Sequence, residues 1–229
     1  MADADQLQST AYYSYSQTGE DRIVKSIFDA LAIPLPLYID IGAHHPIHLS
    51  NTALFSAAGA VGINVEPDPG LFSHFPQLRP RDINLQAGVA AEAGQLTLYR
   101  MSASSLNTCS LEEAERFVRE FGFQILEQRT IPVLTLTNLI EGYLGGRSPD
   151  FLSLDAEGFD DQILRSLDYS KHQPLVICVE TLTYSESGNG IKDQDLINFL
   201  SANGYLVYAD THINTIFVRR DRWVNRTRP

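Results

Sequence analysis

The sequence predicts an α/β protein with a Rossmann-like, mostly parallel sheet and helices on both faces. Three observations predict it. Short apolar runs alternate with segments of helical periodicity along the whole chain. Several of the runs, such as Leu175-Val-Ile-Cys-Val, are apolar throughout, as expected of strands buried on both faces. The run at 37–41 leads through a glycine turn to a run at 61–65 that ends at Glu66, roughly one βαβ unit after Asp40.

At 229 residues, one domain over 1–229 is the expectation. Residues 1–14 read as a loose segment. Ile23, Ile27, Phe28 and Leu31 recur at helical spacing over 20–32, and Pro34 and Pro36 end that helix. Residues 37–41 form strand one, 47–58 a helix stopped by Gly59, 61–65 strand two and 71–78 a short helix. Strand three spans 83–89, with an added strand at 95–99. Ser110 opens a helix through a capping box with Glu113, and 112–121 reads as a solvated flap beside a flexible 102–110. A short strand at 131–134 precedes a helix at 135–143. Strand four is 150–155, followed by a helix at 161–167. Strand five is 175–180, followed by a helix at 192–202 closed by Gly204. A hairpin-like pair at 205–209 and 215–218 comes last. Residues 219–229, with Arg219, Arg220, Arg222, Arg226 and Arg228, read as a solvated basic tail.

A net charge of −11 argues against a nucleic-acid partner, whose phosphates attract Lys/Arg surfaces. Only Cys109 and Cys178 occur, so no disulfide framework is implied and a reducing compartment is expected. No apolar run is long enough to span a bilayer, and the acidic start lacks the pattern of a signal peptide. The expected location is cytoplasmic.

Ligands of open α/β sheets bind outside the C-terminal strand ends. Asp40, Glu66, Asp155 and Glu180 each end a strand, so all four are expected at one crevice. A carboxylate such as Glu66 accepts from both hydroxyls of a ribose. The turn Gly42-Ala-His-His-Pro46 lacks the glycines of a pyrophosphate cradle, and Pro46 has no N–H. S-adenosylmethionine carries no phosphate and bears an ammonium and a sulfonium, which suit an acidic strand end. It is the expected cofactor.

The segments Tyr15-Ser-Gln-Thr-Gly-Glu-Asp21, Tyr38-Ile-Asp-Ile-Gly-Ala43, Val65-Glu-Pro-Asp68 and Leu154-Asp-Ala-Glu-Gly158 together resemble the FkbM-type S-adenosylmethionine-dependent methyltransferases. The similarity runs from about Tyr15 to Val218. It implies the class I methyltransferase fold, a seven-stranded sheet with a reversed last strand, and O-methyl transfer to a small molecule, sugar or glycan. By resemblance, Asp40, Gly42 and Ala43 form the cofactor turn and Glu66 is the ribose acid. Gln17, Gly19, Glu20 and Asp21 match the motif before strand one, and Asp155, Glu157 and Gly158 the acidic motif after strand four. Pro67, Asp68, Gly88 and Val89 join the expected cofactor-binding set. Pro46 departs from the pattern, where a glycine is usual.

A hydroxyl acceptor must lose its proton, and Asp155, Glu180 and His212 are the candidate bases. The same three would hold a divalent metal if one took part; metal-free chemistry is the favoured expectation. His44, His45 and His48 invite a metal reading through the i, i+4 spacing of His44 and His48, but solvent- or cofactor-facing roles are favoured. Two other functions stay open: a nucleotide-dependent oxidoreductase, and an inactive cofactor-binding interaction module. Acceptor identity and oligomeric state are not encoded in any readable motif.

Overall fold

A computed structural model describes residues 13–182 and 190–226. The loose segment expected at 1–14 falls almost wholly outside these. The strands are β1 (Tyr38–Ile41), β2 (Gly62–Val65), β3 (Ile83–Leu85), β4 (Gly88–Val89), β5 (Gly94–Met101), β6 (Ile125–Leu134), β7 (Phe151–Leu154), β8 (Val176–Glu180), β9 (Tyr205–Asp210) and β10 (Asn214–Arg219). The helices are α1 (Glu20–Ala30), α2 (Ala53–Ala58), α3 (Pro69–Phe72), α4 (Phe75–Leu78), α5 (Leu111–Phe121), α6 (Leu136–Leu144), α7 (Asp160–Arg165), α8 (Gln194–Ala202) and α9 (Arg220–Val224).

Seven strands form one sheet in the order β3-β2-β1-β7-β8-β10-β9. β1 runs parallel to β2 and β7, β2 to β3, and β7 to β8. β10 is antiparallel to both neighbours, so the last strand is reversed. This is the class I methyltransferase topology.

The pleat sorts side chains by parity. Ile39, Ile41, Leu152, Leu154, Ile177 and Val179 face a core that also takes Leu139 and Ile140 of α6, Ile163 and Leu164 of α7, and Leu196 and Leu200 of α8. Tyr38, Phe151, Val176 and Cys178 face the other way, against Val24, Ile27 and Phe28 of α1 and Phe55 of α2. Phe28, Phe55 and Phe151 meet edge-on at centroid distances of 5.7–6.3 Å, a geometry worth about 0.5–1.5 kcal/mol per pair beyond area burial. On this second face, near the strand ends, Asn64, Asp40, Ser153 and Cys178 lie side by side in register. That polar row points toward the site.

Three expectations are corrected and a fourth is refined. The helix at 47–58 shrinks to α2, because side chains take the backbone N–H groups a helix would use. His45 Nδ1 accepts from Ile47 and His48, and Ser50 Oγ from Thr52 and Ala53. Strand three breaks after Leu85, and Gly88–Val89 joins a separate three-stranded sheet, β4-β6-β5. Its β6 extends the expected 131–134 strand back to Ile125 and pairs antiparallel along β5. Finally, the expected solvated tail is largely exposed over 219–224 but folded there: Arg219 ends β10, and Trp223 of α9 packs edge-on against Tyr208 at 5.0 Å.

Candidate active site

The turn after β1 brings the site together. Gly42 and Ala43 donate to the Val65 carbonyl at 3.0 and 3.1 Å, and Asp155 N–H donates to the Ile41 carbonyl at 3.0 Å. Gly42 has φ +68°, and a Cβ on it would lie 1.7 Å from the Asp155 carbonyl oxygen. The glycine is there so that two strand ends can meet, not to admit a phosphate.

Glu66 accepts the N–H of His44 at 2.8 Å on one oxygen and that of Asp68 at 2.7 Å on the other. Each oxygen keeps a lone pair for another donor. Burial pushes this carboxyl up to about 8, against the pull of those two N–H groups. Asp40, 4% exposed, is also raised by burial, while Thr52 donates to it at 2.7 Å. A residue with no sequence signal, Arg79, ties this region together. Its guanidinium, 4% exposed, donates to the Pro46 carbonyl, Tyr38 Oη, Ser50 Oγ and Asp82 at 2.8–3.2 Å.

Across the sheet, one carboxylate oxygen each of Asp155, Glu157 and Glu180 lie within 4.8 Å of one another. Asp155 lies in the wall of the cavity, surrounded by protein although its side chain remains accessible to solvent. Burial there, followed by repulsion from Asp160 and Asp40, lifts its carboxyl to about 7. Burial, with Asp155 next, lifts Glu180 to about 9 and raises Glu157 well above the carboxylate range. Like charges this close cannot all ionise without a compensating cation.

These groups line a cavity of about 460 Å³, a normal size for a ligand site. The expected catalytic residues Asp155, Glu180 and His212 all border it. So do Gln17, Asp40, Gly42, Ala43, Glu66, Pro67, Gly88 and Val89 from the expected cofactor set. Three expected residues do not. Glu20 is fully buried and accepts from Thr18, from Thr211 at 2.7 Å and from Asn214 at 3.0 Å. Asp21 holds Ser14, the Tyr15 N–H and Ser16 at 2.7–3.0 Å. Asp68 caps α3 and pairs with Arg100. All three acids bind protein donors, which motif position could not reveal.

The expected metal set is likewise altered. Among the described residues, the converging acids are Asp155, Glu157 and Glu180, with His212 outside that group. His44, His45 and His48 sit on no helix and form no ligand group there. His45 Nδ1 already accepts two backbone N–H groups. Ser104, Ser105, Leu106, Asn107 and Cys109, from the segment between β5 and α5, supply a further wall. Above them, α5 is no solvated flap: Ala114 and Phe117 are fully buried in a small core with Met101 and Leu106. Ser110 caps α5 alone, because Glu113 turns to Arg116 at 2.6 Å.

The donor set fits S-adenosylmethionine: an acid for a diol, acids for cationic groups, apolar Leu71, Val89 and Leu98 for a purine, and no phosphate cradle.

Two solved structures are similar over most of the chain. A TehB-like SAM-dependent methyltransferase from Corynebacterium glutamicum has 12% identity, with 94% of this chain and 93% of that one covered at a TM-score of 0.44. Magnesium protoporphyrin IX methyltransferase from Synechocystis, solved with bound SAM, has 9% identity, with 88% and 80% covered at 0.42. No curated protein matches the chain. The family model described as Methyltransferase FkbM domain matches residues 40–207, most of the chain's length. The chain belongs to the FkbM methyltransferase family, whose cofactor is S-adenosylmethionine.

Proposed function

We propose that this protein transfers a methyl group from S-adenosylmethionine to a hydroxyl of a small molecule, sugar or glycan. The observation that carries the reading is the convergence of Asp155, Glu157 and Glu180 in a cavity shared with Glu66 and the Gly42 turn. When bound, the cofactor supplies an electrophilic methyl group. Glu66 accepts from the ribose hydroxyls with the lone pairs that His44 and Asp68 leave open. Asp155, with its carboxyl near 7, is matched to take a hydroxyl proton at neutral pH, because efficient bases titrate near the working pH. Glu180, raised to about 9, holds its proton at neutral pH and donates a hydrogen bond that orients the acceptor. His212 stands at the same wall as a second base.

Charge narrows the acceptor. Among the described residues lining the cavity, acids are frequent and no Lys or Arg occurs. The nearby cations are engaged elsewhere: Arg100 with Asp68 and Glu127, and Lys192 with Asp210 and Thr181. This supports a neutral or basic acceptor over a phosphorylated or carboxylated one. The three carboxylates are also a suitable oxygen donor set for a hard divalent cation, and chelation tests that second reading. Full methyl transfer after exhaustive chelation removes it.

Calorimetric titration tests the cofactor. S-adenosylmethionine and its demethylated product are expected to bind at micromolar order, and NAD not at all. Glu66→Ala is expected to weaken binding by about 1–3 kcal/mol, the loss of its hydrogen bonds to the two ribose hydroxyls. Unchanged affinity in that variant sinks the ribose role, and NAD binding sinks the cofactor assignment. Turnover of labelled S-adenosylmethionine on a panel of hydroxyl acceptors separates the enzyme from an inactive binding module.

A further inference from the structure

Asp68 stands two residues after the ribose acid, yet its carboxylate turns away from the cavity wall. It is 2% exposed and fully hydrogen-bonded. Oδ1 accepts the N–H groups of Gly70 and Leu71 at 2.7 and 3.2 Å. Oδ2 accepts from Arg100 Nε at 2.5 Å and Asn107 Nδ2 at 3.0 Å. Asn107 Oδ1 in turn accepts the Met101 N–H at 2.8 Å, closing a ring between the end of β5 and the segment that follows.

That segment covers the cavity and touches all three motif turns. Ser104 meets His44 Nε2 at 3.2 Å after β1. Asn107 meets Asp68 after β2. Thr108, 1% exposed, donates to the Glu157 carbonyl at 2.7 Å after β7. Of these ties, the one at Asp68 ends on a buried carboxylate that also accepts from Arg100 at the end of β5, a charge-assisted bond that fixes the acid where Asn107 meets it. The Asp68 N–H also donates to Glu66, so one residue is bonded both to the ribose acid and to the cover.

We propose that Asp68, Arg100 and Asn107 form a latch that holds the 102–110 segment over the cofactor end of the cavity. They are positioning residues, and the latch governs how fast spent cofactor leaves. This rests on the proposed function in one respect, that the cavity holds the cofactor. Lids of this kind commonly control product release.

Arg100 is the decisive position, since it does not line the cavity and its loss removes no cofactor contact. The test uses the full chain with S-adenosylhomocysteine as probe. Dissociation is followed by stopped flow, and amide hydrogen exchange is mapped with and without the probe. In Arg100→Met the dissociation rate is expected to rise about tenfold, on the scale of the lost bond to buried Asp68, since the second pairing, with exposed Glu127, contributes little. Exchange is expected to rise within 102–110 and not in β1 or β8. Arg100→Lys is expected to recover most of both. An unchanged dissociation rate in Arg100→Met overturns the latch. So does exchange rising equally in the core strands, which marks plain destabilisation. Failure of the wild-type chain to bind the probe overturns the cofactor reading instead. The exchange comparison without probe still decides whether Arg100 holds the cover.

Discussion

Gly42 has no side chain because the Asp155 carbonyl occupies the space one would need, 1.7 Å from an added Cβ. Gly42→Ala must therefore push the β1 turn away from β7, and its φ of +68° adds strain. The expected outcome is loss of S-adenosylhomocysteine binding and a stability cost of about 2 kcal/mol or more. Calorimetry and denaturant unfolding read the two effects, and wild-type binding in the variant would mean the turn relaxes freely. Asp155 itself has a bland reading as a helix cap, but α7 begins only at Asp160 and its N-cap, Phe159, makes no side-chain cap bond. Asp155→Asn keeps the shape and removes the proton acceptor. Turnover is expected to fall by about 10²–10⁴-fold with cofactor affinity changed far less. A single-turnover rate close to wild type would end the general-base assignment.

At the scale of elements, the Gln17–Asp21 motif shows how one stretch serves two ends. Gln17 reaches the cavity, while Glu20 clamps the start of α1 to the β9–β10 turn through Thr211 and Asn214. Burial pushes the Glu20 carboxyl up, but the Thr18 and Thr211 donors outweigh it and hold the group down at about 2. Glu20→Ala leaves those buried donors unpaired. It is expected to cost about 1–3 kcal/mol in denaturant unfolding while S-adenosylhomocysteine still binds. A full loss of binding at unchanged stability would return Glu20 to the cofactor site.

Over the whole molecule, acids gather at one end of the sheet and set the response to pH. Burial and mutual repulsion lift Asp160 to about 6, Asp155 to about 7, Glu66 to about 8 and Glu180 to about 9. Unfolded, each would titrate near its ordinary value of about 4. Between those limits the folded chain binds more protons than the unfolded one, so its stability declines as pH rises. The contribution is fully present below about pH 4 and is lost through pH 6–9. Glu20 acts in the opposite sense, and its contribution is lost as pH falls toward 2. The ligand-free protein is therefore expected to melt highest near pH 4 and several degrees lower at pH 9. Glu180→Gln should flatten that decline, melting above wild type at pH 9 and close to it at pH 5. Scanning fluorimetry across this range checks both, and a flat wild-type profile would mean water screens these acids well. A site that weakens its own fold in this way is a stability–function compromise.

The sequence by itself determined the α/β class, because a strand buried on both faces must be locally apolar wherever it occurs. It also determined that Asp40, Glu66, Asp155 and Glu180 would share one crevice, because parallel strands place their C-terminal ends on one side. Only the tertiary structure decided which remaining acids face the cavity. Glu20, Asp21 and Asp68 lie in the same motifs as cavity residues, but Asn214 and Arg100, which hold Glu20 and Asp68, come from elements whose approach no local pattern records, and Asp21 is taken up by Ser14, Tyr15 and Ser16 of its own segment. The β4-β6-β5 sheet stayed hidden for the same reason. Residues 127–130 are exposed and polar, so their strand is visible only through its pairing with β5. Arg79 was unreadable because a buried guanidinium is defined by the five groups that surround it, and those are assembled from both sides of β2 only when the sheet has formed.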